Sequence, residues 1–227
     1  MKRRSHSEVA TKQQARFSIG LAVAYLLCSL CSIGFIKLAW EVRERETLAF
    51  DEAVLTTINR YSTPFFDIFM PIATDIGGVI GVTALTVLFV ALFIYKNEYR
   101  RALMVVVSVV GAVALNIVLK SIIARSRPDL WEQLIHETGY SFPSGHAMAS
   151  AALGLGLAVA LWNSRWRWWS FGFATAYILF VGLSRMYLGV HYPTDILAGW
   201  CVSGFWVLAV ALMMRSRLGH QALRGVK

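Results

Sequence analysis

Charged side chains are scarce in this chain. Asp, Glu, Lys and Arg make up only 15% of its 227 residues, while 57% are hydrophobic. Ordinary soluble domains carry roughly a quarter charged residues, so a free-standing soluble domain is excluded as the main body. Proline is rare as well, at five residues, and no Pro-, Gly- or Ser-rich linker divides the sequence. No internal repeat is visible, and no polar stretch is long enough to bury a core of its own. The reading is therefore one domain over residues 1–227, with a basic leader at 1–16 and a basic tail at 215–227. Cysteine is limited to Cys28, Cys31 and Cys201, all inside apolar runs, where they read as small packing residues. A redox role for Cys28-Ser29-Leu30-Cys31 lacks the βαβ setting it would need.

What the chain has in abundance is long apolar runs, at about 17–39, 79–95, 102–123, 147–162, 168–184 and 196–214. Each approaches the ~20 residues that cross a bilayer as a helix, so the expected fold is all-α, an integral membrane bundle of six transmembrane helices. The first run exceeds the ~7–15 apolar residues of a cleaved signal peptide and reads as an uncleaved anchor. Between the first two runs, 41–78 is too polar to span but contains Phe65, Phe66, Phe69 and Met70. It reads as short interfacial helices, with a lid role as a lesser alternative. Ala147, Ala151, Gly154 and Ala158 recur every three or four residues and suit close helix packing.

The net charge of +9 does not point to nucleic acid, because the basic residues are dispersed among short connections. They report topology instead. Fourteen Lys and Arg residues lie in the leader, 96–101, 163–167 and the tail; seven lie in the alternate segments, at Arg43, Arg45, Arg60, Lys120, Arg125, Arg127 and Arg185. The positive-inside rule then puts both termini in the cytoplasm. Trp162, Trp166, Trp168 and Trp169 resemble an interfacial aromatic belt on that side.

Against this apolar background three polar groupings stand out: Lys120 with Arg127-Pro128, Pro143-Ser144-Gly145-His146, and Ser184-Arg185 with His191 and Asp195. Ionisable groups near a membrane core are costly and mark function. Lys120, Arg127 and Arg185 are cations suited to the oxygens of an anion. Pro143-Ser144-Gly145 reads as a turn into a helix N-terminus, which offers backbone N–H groups and the Ser144 hydroxyl to the same anion. His191 and Asp195 are four residues apart, with Pro193 fitted to a first helical turn, so the carboxylate can orient the imidazole as a nucleophile. His146 can act as proton donor and acceptor. Phosphoryl transfer at the outer membrane surface accounts for all of these residue types together. Arg125 and Ser126 fall outside the groupings and receive no role, His136 reads as an exposed loop residue, and Asp129 reads at most as an ion-pair partner for a neighbouring arginine.

In these three motifs the sequence resembles the type 2 phosphatidic acid phosphatase superfamily, and every signature position matches. The resemblance implies a lipid phosphatase with His191 as nucleophile, His146 as acid and base, and Asp195 in support. Lys120, Arg127, Ser144, Gly145 and Arg185 would bind phosphate. Size and short loops look most like the bacterial branch, which implies an inner-membrane enzyme with an extracytoplasmic site. Its substrates would be of the phosphatidylglycerol phosphate, undecaprenyl diphosphate or phosphatidic acid class, with membrane lipids as surroundings. No cofactor is implied. A metal held by His146, His191 and Asp195 is the rival chemistry, but three cations beside it would repel a divalent ion. A non-hydrolytic lipid or anion transporter could use the same cations without needing the His191 and Asp195 pair. A vanadate-dependent haloperoxidase shares the site pattern, but such enzymes are soluble.

Overall fold

The computed structural model describes residues 6–224, and the side chains of residues 19–215. Lys2, Arg3, Arg4 and Lys227 of the basic leader and tail lie outside the described residues, as do the side chains of Lys12, Arg16, Arg217 and Arg224. Every regular element among the described residues is helical: α1 (His6–Arg43), α2 (Leu48–Asn59), α3 (Pro64–Gly77), α4 (Val79–Tyr95), α5 (Tyr99–Ile123), α6 (Gly145–Ala160), α7 (Arg167–Tyr187) and α8 (Pro193–Arg224).

Among the described residues, Ile19–Arg43 of α1, Tyr99–Ile123 of α5 and Pro193–Arg215 of α8 are long and apolar enough to cross a membrane. The pair α3 and α4, bent by 50°, meets the same requirement as a unit. Three helices, or four with the bent pair, thus meet this test of length and apolarity among the described residues, against six apolar runs in the sequence. The difference has local causes. The 16 residues of α6 rise only about 24 Å at 1.5 Å per residue, against about 30 Å of hydrocarbon. The 21 residues of α7 are diluted by Trp, Ser, Thr and Tyr and carry Arg185 in their last turn.

Helix α6 is the centre of the bundle, packed against α4, α5, α7 and α8, while α1 lies along α8. Its small residues allow this. A Cβ at Gly156 would come within 3.1 Å of Ser108 on α5, and one at Gly199 of α8 within 3.2 Å of Ala147. The close-packing reading of Ala147, Ala151, Gly154 and Ala158 therefore holds, all four being buried. Large apolar side chains such as Ile33, Ile80, Ile117 and Phe173 point outward, the pattern expected when lipid is the solvent. The cysteines are free thiols.

The segment 41–78 does form two short helices, but they are more than a cover. Thr63 caps α3 by accepting from Phe66 N–H, with Pro64 at the first helical position, a favourable start. At its other end Gly77 lies so close to α7 that a Cβ would stand 2.3 Å from Val181. Tyr187 donates to Asp67 at 2.6 Å and Tyr177 to the Ile76 carbonyl at 2.9 Å, fixing α3 along the helix that carries Arg185. Helix α5 stops where Ala124 takes a left-handed conformation (φ 52°), which leaves Lys120 in its last turn.

Candidate active site

Four chain segments meet at one end of α6: the last turn of α5, the loop 124–144, the first turn of α6, and the stretch from the end of α7 into α8. Ser144 caps α6, its hydroxyl accepting from Ala147 N–H at 3.4 Å, as the sequence predicts for a turn into a helix N-terminus. Its own N–H donates to the Asp195 carbonyl at 3.1 Å, which joins this turn to α8. Gly145 leaves room beside Asn116, whose Oδ1 a Cβ would meet at 3.1 Å. Asn116 in turn donates to the Pro143 carbonyl at 3.0 Å and so clamps the turn from α5.

His191 and Asp195 are both fully buried. With Pro193 opening α8, His191 Nδ1 lies 3.3 Å from Asp195 Oδ2, and the same oxygen accepts Tyr192 N–H at 2.9 Å. The other ring nitrogen, Nε2, lies 3.2 Å from Arg127 Nη1. Both contacts are met by the tautomer with its hydrogen on Nδ1, which leaves Nε2 as acceptor. Burial, then the charges of Arg185, Arg127 and Lys120, hold the His191 pKa well below the ordinary imidazole range.

The cations surround this ring. Arg127 donates to the carbonyls of Val190 at 2.9 Å, Gly139 at 3.1 Å and Thr138 at 3.1 Å. Arg185, with no exposed surface, donates to Thr74 at 2.8 Å and to Glu137 at 2.5 Å. Lys120 makes no hydrogen bond or ion pair among the described residues, yet it is close enough to feel Arg127 and Arg185. His146, in the first turn of α6, lies within reach of the charges of Arg185, Glu137, Lys120 and Arg127. Its Nε2 would be 3.2 Å from a Cβ at Gly78. All eight sequence-predicted residues thus gather at one place.

An arrangement of three cations, a helix N-terminus and a neutral buried imidazole is suited to a tetrahedral or trigonal oxyanion next to a nucleophile. Residues 101–218 match the PAP2 superfamily. The chain belongs to that superfamily. Phosphatidylglycerophosphatase B of Bacillus subtilis (strain 168) is 33% identical over 171 residues, which cover 73% of this chain and 83% of that protein. Undecaprenyl-diphosphatase of Sulfolobus acidocaldarius is 33% identical over 130 residues, 55% of this chain and 60% of the relative. The crystal structure of a transmembrane PAP2 type phosphatidylglycerolphosphate phosphatase from Bacillus subtilis superposes with a TM-score of 0.76 at 28% identity, over 84% of this chain and 96% of that one.

This PAP2 site also contains residues that the motifs do not announce. Glu137 bridges two of the cations, through Oε1 to Arg185 and through Oε2 to Arg127 at 3.5 Å. Burial pushes its carboxyl up, but Arg185, helped by His146 and Arg127, holds it below the usual carboxylate range. Arg125, given no role on sequence, is corrected by the structure: it donates to Asp195 Oδ1 and to Asp51 Oδ2, both at 2.7 Å. Removing one partner of a buried ion pair of this kind costs about 3–5 kcal/mol, so the cluster is a strong constraint. The only sequence-level hint was a second arginine close to Arg127.

Proposed function

We propose that this protein hydrolyses a lipid phosphomonoester or diphosphate through a phosphohistidine formed on His191. The enzyme is a membrane-embedded phosphoric ester hydrolase of the PAP2 superfamily; the finer assignments that follow are ours. The observation that carries them is the orientation of one ring, with Nδ1 on Asp195 and Nε2 among the cations.

In the first step the substrate phosphate enters between Arg127, Arg185, Lys120 and the N-terminus of α6, displacing the carboxylate of Glu137. Arg127 Nη1 turns from Nε2 to a phosphate oxygen, which frees the lone pair. Nε2 attacks phosphorus; the N–P bond forms as the P–O bond to the leaving group breaks, and His146 protonates the departing oxygen. Asp195 stabilises the positive imidazole that results. In the second step His146 takes a proton from water, the hydroxide attacks phosphorus, and the N–P bond breaks to release inorganic phosphate and neutral His191. A protein that only bound or carried anions would have no use for the buried His191 and Asp195 pair.

The substrates named for the relatives, phosphatidylglycerol phosphate and undecaprenyl diphosphate, share a phosphate at the interface and apolar tails. We assign this chain to the same lipid class, phosphatidic acid included. We retain the six-span layout with cytoplasmic termini and an extracytoplasmic site, on the strength of the Lys and Arg bias. Rapid-quench labelling with a radiolabelled lipid phosphate tests the mechanism: acid-labile label should appear on the wild type and be absent from His191→Ala. Undiminished label in that variant refutes the nucleophile. Impermeant thiol labelling of Glu132→Cys but not Gln221→Cys in intact cells is the expected result for the sidedness, and the reverse pattern refutes it.

A further inference from the structure

We infer that Asp51, on α2, is a positioning residue for the reaction, acting through Arg125 on the carboxylate that orients the nucleophile. The inference deepens the phosphohistidine reading and rests on it. Asp51 is fully buried although it stands 74 residues before Arg125 and 143 before Thr194. Burying a carboxylate this far from water is costly without several strong partners. It has three: Thr194 N–H at 3.1 Å to Oδ1, and the Thr194 hydroxyl and Arg125 Nη2, each at 2.7 Å to Oδ2.

Two consequences follow for the catalytic ring. Thr194 N–H belongs to the first turn of α8, where no intrahelical acceptor is available. Asp51 supplies one from another helix, in effect capping the very turn that carries Asp195. The second consequence concerns which oxygen of Asp195 meets His191. Arg125 is held on four sides: by Asp51, by Thr194 Oγ1 at 2.8 Å, by Asp195 Oδ1 at 2.7 Å, and by the Tyr192 ring, whose centroid is 4.0 Å from the guanidinium carbon. Gripped in this way it takes Oδ1 and leaves Oδ2 for Tyr192 N–H and His191 Nδ1. Without Asp51 the guanidinium loses one of its two carboxylates, and the rotation of Asp195 is less defined. Neither Asp51 nor Arg125 is among the residues assigned to phosphate, so the effect should fall on turnover and not on substrate binding.

The test is a double-mutant cycle on the full-length protein in detergent micelles, with phosphatidic acid as the probe substrate. Asp51→Asn keeps the shape but removes the charge and replaces one acceptor oxygen by a donor. It should lower kcat about ten- to a hundredfold, the scale found for partners that orient a metal-ligating imidazole, with KM within about twofold. In the Asp195→Asn background the same change should have no further effect on kcat. Equal losses in both backgrounds, or a loss in KM alone, overturn the inference and leave the phosphohistidine reading standing. If Asp195→Asn by itself leaves kcat unchanged, both fall together. Thr194→Val removes two hydrogen bonds of the same network, to Asp51 and from Arg125, and no charge, so it serves if Asp51→Asn does not fold. It should give a smaller kcat-only loss that Asp195→Asn abolishes; an unchanged kcat there counts against the inference as firmly.

Discussion

Arg127 Nη1 stands 3.2 Å from His191 Nε2, the ring nitrogen that Asp195 leaves open. A permanent cation at hydrogen-bond distance from an imidazole nitrogen opposes its protonation. Burial acts in the same direction, and Arg185 and Lys120 add to it. Attack requires the neutral ring, so activity is lost as pH falls through the His191 pKa. Because that pKa is depressed, the acid limb of kcat/KM should lie below the ordinary histidine value of about 6.5. Arg127→Gln removes one opposing charge, so its acid limb should move upward in pH whatever the loss in absolute rate. A limb that stays in place or moves down contradicts this account.

Gly78 separates α3 from α4, and a side chain there would press on His146 Nε2 from 3.2 Å. Gly78→Ala should therefore act as a mild version of His146→Ala. General acid catalysis is worth about 10²–10⁴-fold, but only when the leaving group needs a proton. Both variants should lose much more activity toward a lipid phosphomonoester than toward p-nitrophenyl phosphate, whose leaving group departs as a stable anion. Equal losses on the two substrates speak against His146 as the acid.

The parts of the site that the sequence discloses are those fixed by local spacing. Ser144 before Gly145 is a helix cap, Pro193 is a first-turn residue, and His191 with Asp195 are one helical turn apart; each relation survives in the fold. Asp51, Thr74 and Gly78 were not legible, because each meets the site by tertiary packing from a segment with no motif, and Asn116 was not, because its partner Pro143 is distant in sequence. Arg125 and Glu137 lie in the loop after α5, but Asp51, Asp195 and Arg185, which they meet, come from other elements. The helices themselves were legible from hydropathy; three of them, or four with the bent pair, are long and apolar enough to cross unaided, while α6 is short and α7 carries polar and charged residues among its apolar ones. The polarity of 41–78 hid the fact that its second helix joins α4 in a bent apolar pair.

Glu137 occupies the space between Arg127 and Arg185 that an oxyanion would use. Its carboxyl is held below the usual range, so it competes as an anion throughout the neutral pH range. Glu137→Gln should bind orthovanadate more tightly, by about three- to tenfold in Ki, since one exchanged charge in a partly solvated site is worth about 1 kcal/mol. An unchanged or weaker Ki shows that the carboxylate organises the arginines and does not compete with the ligand.

Lys120, Arg127 and Arg185 also bear on what the reaction asks of metal ions. Lys120 lies in the field of Arg127 and Arg185, and an incoming phosphate carrying one or two negative charges is matched by these groups without further help. A divalent ion between His146, His191 and Asp195 would be repelled by them, and it would have to displace the Nδ1–H that Asp195 accepts. Activity should therefore persist after exhaustive dialysis against chelator, and orthovanadate should inhibit equally before and after that treatment. Lys120→Met should weaken vanadate binding and raise KM, because it removes positive charge from the oxyanion pocket while His191 and its partners stay intact. Loss of activity on chelation with recovery on adding a divalent cation, coupled with an unchanged Ki in Lys120→Met, assigns the charge compensation to a metal and removes the cations from that role.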